Sequence, residues 1–394
     1  MNRMAEPLIS VVIPVYNNEK YLPKAVESVL KYDLDCVELI IVDDGSTDST
    51  PEIADEIAGK NKNVKVVHQT NQWIYASMNN GIRAASGKYV YILNSDDRLF
   101  PGAIQLLIDK INEYGYPDVI WTNVICNRCN DNQEVIESDV YNWRNQIESE
   151  TLCRSPEEVA LIWPYLLKTN LAHNQANLYL RELALAHPFR NDVYGGDVFF
   201  NIGIACDVRS SLILTEPVYE FIMYSKATMN ASVGKYYSYE HDMFNEIMLE
   251  YLALFEGWHL SPDSYQHILF KRRMREVTHE IKALSYKGCN MSTDEKIEYL
   301  FNVCADEKIM KLAVSEDNRE EYESRILSGL REILTAEELP SDSKMYFAYE
   351  MLDALLGYER DENDYLSMND AVNNLLNPMH IGEIFLKKLK KAIV

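Results

Sequence analysis

The sequence predicts an α/β fold, a mainly parallel sheet flanked by helices, followed by an all-helical C-terminal domain. Three observations point there. Continuous β-branched runs such as "LISVVIPVY" (Leu8–Tyr16) and "VELIIVDD" (Val37–Asp44) mark strands buried on both faces. Segments with helical spacing alternate with those runs in the first half. From about Tyr236 onward the runs cease, glycine becomes scarce and apolar residues recur at helical spacing. A chain of 394 residues favours two domains. The boundary is expected at residue 230, giving 1–230 and 231–394.

The elements follow in order. After the first strand, Tyr21, Leu22, Ala25, Val26, Val29 and Leu30 form a helical stripe. The strand Val37–Asp44 precedes "GSTDSTPEIADEIAGK", a loop and a helix in which Ser49 or Thr50 is the expected cap and Pro51 sits in the first turn. "VKVVHQ" is a third strand and "YASMNNGIRAASG" a helix expected to stop at Gly87. "KYVYILN" is a fourth strand, "AIQLLIDKINEY" a helix and "PDVIWTNVI" a strand. In the second half, "YEHDMFNEIMLEYLALFEGW", "SYQHILFKRRMREVTHEIKALSYK", "NREEYESRILSGLREIL" and "SDSKMYFAYEMLDALL" all carry helical stripes.

Composition narrows the function classes. A formal net charge of -23 excludes a general nucleic-acid binder, which needs clustered Lys and Arg. It leaves room for a nucleotide held at a local site. Seven cysteines without a regular framework read as reduced thiols of a cytoplasmic protein. The lone C-x-x-C of Cys126 and Cys129 lacks the second pair a zinc site needs and reads as structural. The N-terminus has no apolar signal core, and no apolar run approaches the ~20 residues of a membrane span. The C-terminal "EIFLKKLKKAIV" alternates Ile384, Phe385, Leu389 and Ile393 with four lysines. It reads either as a last helix packed on its own domain or as a basic amphipathic helix making peripheral contact with an anionic membrane.

Ligands of open parallel sheets bind beyond the carboxyl ends of the strands. Asp43–Asp44, Asp96–Asp97 and Tyr16–Asn17 all stand at such ends. One Asp-Asp pair is ordinary turn punctuation, but two at separate strand tips call for a ligand.

The motifs "ISVVIPVYNNEKYLPKAVESVL", "LIIVDDGSTDST", "AASGKYVYILNSDD" and "GGDVFF" resemble, in that order, family 2 glycosyltransferases with a GT-A fold; the likeness covers roughly residues 7–230. The resemblance implies inverting transfer of a hexose or N-acetylhexosamine from a nucleotide-sugar, usually a UDP-sugar, with Mn²⁺ or Mg²⁺ as cofactor. It implies a hydroxyl acceptor on a glycan, lipid carrier or protein. By this resemblance Pro14, Val15 and Tyr16 pack on the nucleobase, Asp44 bonds the uracil, and Asp43 supports it or meets the ribose. Asn71 contacts the donor, Asp97 is the best metal ligand with Asp96 beside it or at the ribose, and Asp197 is the catalytic base. "NQANLYLREL" resembles the acceptor-side helix, and Lys226 or Asn230 stands where the leaving group is covered. His173 and His187 are further candidates for acceptor or metal contact, each more often structural.

The chain departs from the family at several places. Trp73 stands where Gly is usual and either narrows the sugar pocket, stacks on the sugar or merely packs. Met78 replaces Arg, Asn94 opens the D-x-D region in place of Asp, Asn177 and Leu180 replace Lys and Arg, and Gly196 replaces the Glu before the base. Two other readings compete. A nucleotidyltransferase also uses strand-tip carboxylates and a metal, but "IPVYNNEKYL" lacks its Gly-rich basic loop. A catalytically inactive binding or scaffold protein on the same fold is the other, with Gly196 in its favour. The helical domain, without a chemical motif, is expected to form a homodimer.

Overall fold

The computed structural model describes residues 7–31, 35–130, 132–138, 149–169, 175–224 and 234–284, with scattered positions up to 312. In chain order the elements are β1 (Ile9–Val15), α1 (Leu22–Leu30), β2 (Val37–Asp43), α2 (Thr50–Lys60), β3 (Val64–His68), α3 (Ile74–Ala84), β4 (Tyr89–Ile92), β5 (Arg98–Leu99) and α4 (Ala103–Glu113). They continue with β6 (Val119–Cys129), β7 (Val135–Glu137), β8 (Thr151–Cys153), α5 (Pro156–Lys168), β9 (Asn177–Leu180), α6 (Arg181–Ala186), α7 (Gly196–Asp207), β10 (Ser211–Tyr224), α8 (Glu240–Gly257) and α9 (Pro262–Ala283).

The sheet runs β3-β2-β1-β4-β9-β6-β10-β5, with β7 on β6 and β8 on β10. β1 pairs in parallel with β2 and β4, β2 with β3, and β6 with β10. Every residue of β1 and β2 is buried, as their uninterrupted apolar runs require. Alternate residues face opposite layers. Ile9, Val11, Ile13 and Val15 share a core with Leu22, Ala25, Val26 and Val29 of α1. Val12 faces α3, where a Cβ on Gly81 would lie 2.2 Å from its Cγ1.

Chain order doubles back at β1. β2 and β3 lie on one side of it and β4 on the other. This is a topological switch point, where the crevice beyond the strand ends opens.

Three local expectations are corrected. The segment Asn177–Leu180, expected to belong to an acceptor-side helix, is β9, antiparallel between β4 and β6. Only Arg181–Ala186 is helical there. Its central place explains the change: Thr122 N donates to Asn177 Oδ1 at 3.2 Å, and Leu178 and Tyr179 are fully buried. α3 ends at Ala84, before Gly87. Gly87 serves close approach instead, since a Cβ there would lie 2.5 Å from Ser10 Oγ and 2.8 Å from Ser10 N. At α2 Ser49 holds the N-cap position but its side chain makes no cap bond; Asp48 Oδ1 accepts the Thr50 N–H at 3.0 Å instead.

The described residues fall into two compact units. One runs to residue 231 and includes Glu250–Leu260; the other takes residues 232–249 and those from Ser261 onward. Within the second, Arg273 and Glu280 pair at 2.9 Å in full burial, and His241 bonds the other oxygen of Glu280 at 2.8 Å. Burial demands such partners of buried charge. Two expected helical stretches, "NREEYESRILSGLREIL" and "SDSKMYFAYEMLDALL", and the basic segment from Ile384 lie outside the described residues. So do His173, Lys226 and Asn230. Among the described residues no helix is long and apolar enough to cross a membrane.

Candidate active site

The site assembles at the carboxyl ends of β1, β2 and β4. Short polar bonds lock these tips together. Asn18 Nδ2 donates to Ser95 Oγ at 2.7 Å, tying β1 to β4, and Thr47 N donates to Asn17 Oδ1 at 2.7 Å, tying β2 to β1. Pro14 and Val15 are buried within β1. Tyr16, the first residue past the strand, is 49% exposed and presents its ring outward.

Asp43 and Asp44 are both buried, for different purposes. Asp43 Oδ1 accepts from Ser46 N at 3.1 Å, and its Oδ2 lies 2.9 Å from His68 Nδ1. The His68 ring also reaches Asp55 at 3.1 Å. The hydrogen bond to Asp43 raises the His68 pKa, against the opposing effect of burial. Asp44 Oδ1 accepts from Gln69 Nε2 at 2.7 Å and Gln72 N at 2.8 Å. The loop carrying these donors continues through exposed Asn71 to Trp73.

Trp73 adopts φ 76°, ψ 164°, a region almost reserved for glycine. It is pinned between the Gln72–Asp44 bond and the first turn of α3, where Ser77 N donates to the Trp73 carbonyl at 3.2 Å.

The second Asp pair divides its labour. Asp97 is 2% exposed, and its carboxylate accepts from the Tyr219 hydroxyl, from Ile222 N at 2.8 Å and from Asn94 Nδ2 at 3.1 Å. Burial and the adjacent Asp96 charge push its pKa well above the usual carboxylate range. Two of its four acceptor positions thus anchor the β4 tip to β10, and a third braces the turn through Asn94. Asp96 is half-buried, and burial raises its pKa too. No other side chain bonds the Asp96 carboxylate among the described residues. Its backbone is held where the Tyr224 hydroxyl donates to its carbonyl at 3.2 Å. Asn94 Oδ1, two residues before Asp96, is buried and has no hydrogen-bond partner among the described residues. An amide oxygen and a carboxylate are the hard oxygen donors a Mg²⁺ or Mn²⁺ ion takes when phosphates and water complete its shell. Asn94 and Asp96 are thus of the residue types such a cation takes. Among the described residues no cluster of three His, Cys, Asp or Glu would hold a metal by protein ligands alone.

Asp197 lies in the first turn of α7, one residue inside the helix rather than at its cap. It is half-buried; Val198 N donates to its Oδ1 at 3.0 Å, and the Tyr75 hydroxyl lies 3.2 Å from the same oxygen. His187 bonds Asp207 at 2.8 Å, at the opposite end of α7 from Asp197. Cys126 and Cys129 are buried along β6.

Sequence reasoning missed Tyr219 and Tyr75. Tyr219 sits 122 positions from Asp97, and nothing local to "EPVYEFIMY" signals that its hydroxyl faces a carboxylate. Tyr75 follows two other large apolar residues, Trp73 and Ile74, and reads as helix core.

Comparisons with known proteins bear on the family and the fold. The sequence model of glycosyl transferase family 2 matches residues 10–164. The chain is 30% identical over 226 residues to the putative glycosyltransferase EpsH of Bacillus subtilis (strain 168), covering 55% of this chain and 61% of that one. It is 43% identical over 107 residues to the glycosyltransferase GlyG of Streptococcus pneumoniae serotype 4, covering 27% and 36%. To the chondroitin synthase of Escherichia coli it is 34% identical over 151 residues, covering 37% and 22%. The match thus spans less than two thirds of each relative's length. Among solved structures, S. aureus TarS 1-349 in complex with UDP superposes with a TM-score of 0.54 at 19% identity, covering 88% of this chain and 89% of that one. A second structure of S. aureus TarS 1-349 gives 0.53 at 18%, covering 91% and 94%. This likeness is one of fold.

Proposed function

We propose that residues 10–164, matched by the model of glycosyl transferase family 2, form a family 2 glycosyltransferase domain on a GT-A fold, and that the protein moves a sugar from a UDP-sugar to an acceptor hydroxyl with inversion. The observation that carries this reading is the meeting of the β1, β2 and β4 tips at the switch point, each bearing a polar group suited to one part of such a donor. Tyr16 offers an exposed ring face to the nucleobase. Asp44, oriented by Gln69 and Gln72, accepts the base's ring N–H, and Asp43 braces the same turn through Ser46. The fold-level neighbour with UDP bound supports uracil as that base. Asn71 and Trp73 border the sugar and diphosphate.

Asn94 Oδ1 and Asp96 would hold the divalent cation, and Asp97 holds the turn that presents them. The cation would supply charge neutralisation of the departing diphosphate. The chain's own chemistry is positioning and proton transfer. Asp197 takes the proton of the acceptor hydroxyl as that oxygen attacks the anomeric carbon. The bond to the diphosphate oxygen breaks with its electron pair leaving on the nucleotide. We assign the helical domain from residue 231 to self-association, on the ground of its amphipathic stripes.

The test is a panel of UDP-glucose, UDP-galactose and their N-acetyl forms with Mn²⁺. One donor should raise the melting temperature and release UDP, and Asp197→Asn should abolish release while keeping UDP binding. A panel without thermal shift or UDP release overturns the reading. Light scattering at micromolar concentration should give a dimeric mass; a monomeric one removes that assignment.

A further inference from the structure

We propose that Tyr75 is the positioning residue of the general base, holding the Asp197 carboxylate through its hydroxyl in place of any side chain at position 196. The inference rests on the assignment of Asp197 as base. Its starting point is steric. A Cβ on Gly196 would lie 2.1 Å from the Arg190 carbonyl oxygen and 2.9 Å and 3.0 Å from two carbons of the Tyr75 ring. No side chain fits at position 196, so none there orients the base beyond the Val198 N–H bond of its own helix.

The Tyr75 ring is placed to orient the base. Tyr75 is 8% exposed, and its ring stacks on Phe189 at 5.8 Å and 5°, which stacks in turn on Phe200 of α7 at 4.0 Å and 8°. This column joins the start of α3 to α7, so the phenol is fixed relative to the helix that carries Asp197. The hydroxyl lies 2.5 Å from the Tyr194 carbonyl oxygen and 3.2 Å from Asp197 Oδ1. Tyr194 belongs to the loop entering α7, so one phenolic proton, placed between two acceptors, registers both the loop and the base. Trp73 packs on the same ring at 6.0 Å. The strained residue at the donor side and the base at the acceptor side therefore share one support. Proton transfer depends steeply on such placement.

Tyr75→Phe keeps the ring column and removes only the hydroxyl. In UDP release from the best donor of the panel, kcat should fall by about 10-fold or more while the donor KM stays within about twofold. The acidic limb of the kcat profile should move to higher pH, because a hydrogen bond to the charged carboxylate is lost. A purely structural role would lower the melting temperature without moving that limb. If Tyr75→Phe melts early, 3-fluorotyrosine at the position keeps ring and hydroxyl and, as a stronger donor, should move the limb to lower pH. An unmoved limb in both overturns the inference. Asp197→Asn separates the two readings: full turnover there removes the base itself, whereas an inactive Asp197→Asn beside an unaltered Tyr75→Phe removes only Tyr75.

Discussion

At the scale of single residues, adjacent identical side chains carry opposite duties. Asp97 is consumed by three protein donors, whereas Asp96 is half-buried beside it. Asp97→Asn puts an amide where at least one donor needs an acceptor, and should cost about 1–3 kcal/mol in a urea melt. Asp96→Asn should melt at or above the wild-type temperature in metal-free buffer, since it removes a charge that burial disfavours. It should nonetheless abolish the Mn²⁺-dependent part of UDP binding. Trp73 yields a second inversion of habit. Glycine normally loses to alanine in stability through backbone entropy. At φ 76°, ψ 164° the order should reverse, with Trp73→Gly more stable than Trp73→Ala by about 1–2 kcal/mol in paired urea melts.

At the scale of elements, the strands are stitched by polar side chains as well as by their ladders. Glu38 of β2 accepts from Ser10 of β1, from Ser86 N at 2.5 Å and Oγ at 2.8 Å, from Gly87 N at 3.0 Å and from Lys65 of β3 at 2.7 Å. Burial works to raise its pKa, but Lys65, Ser10 and Ser86 prevail and hold it at about 2, down from 4.5. A folded-state pKa below the unfolded one means stabilisation that is present above about pH 4.5 and lost as pH falls toward about 2. That difference corresponds to roughly 3 kcal/mol. Glu38→Gln should therefore lower stability at pH 7 by about 2–3 kcal/mol and flatten the acid limb of stability against pH, read by urea melts from pH 7 to pH 3.

At the scale of the whole molecule, a chain of net charge -23 takes an anionic donor only where the local field is reversed. UDP at 100 times its dissociation constant should stabilise the protein by about 2.7 kcal/mol in Mn²⁺, read as a rise in melting temperature. EDTA should remove most of that rise. An equal rise in EDTA would transfer donor affinity to the nucleobase contacts and dissolve the role given to Asn94 and Asp96.

The sequence by itself determined the α/β order, the buried strands and the polar tips, because these follow from short-range patterns: unbroken β-branched runs, helical stripes, and paired carboxylates at strand ends. It placed Asp44, Asp96, Asp97 and Asp197 in motifs whose spacing survives in one dimension. The tertiary structure alone decided which carboxylate of a pair is occupied, since Tyr219 and Ile222 reach Asp97 from more than 120 positions away. It alone turned Asn177–Leu180 into a strand, because its partners β4 and β6 exist only in the sheet. It also joined Tyr75 to Asp197 across 122 positions. Hydrogen bonds are short and directional, so partners distant in sequence leave no local trace until the fold brings them to within 3 Å or so.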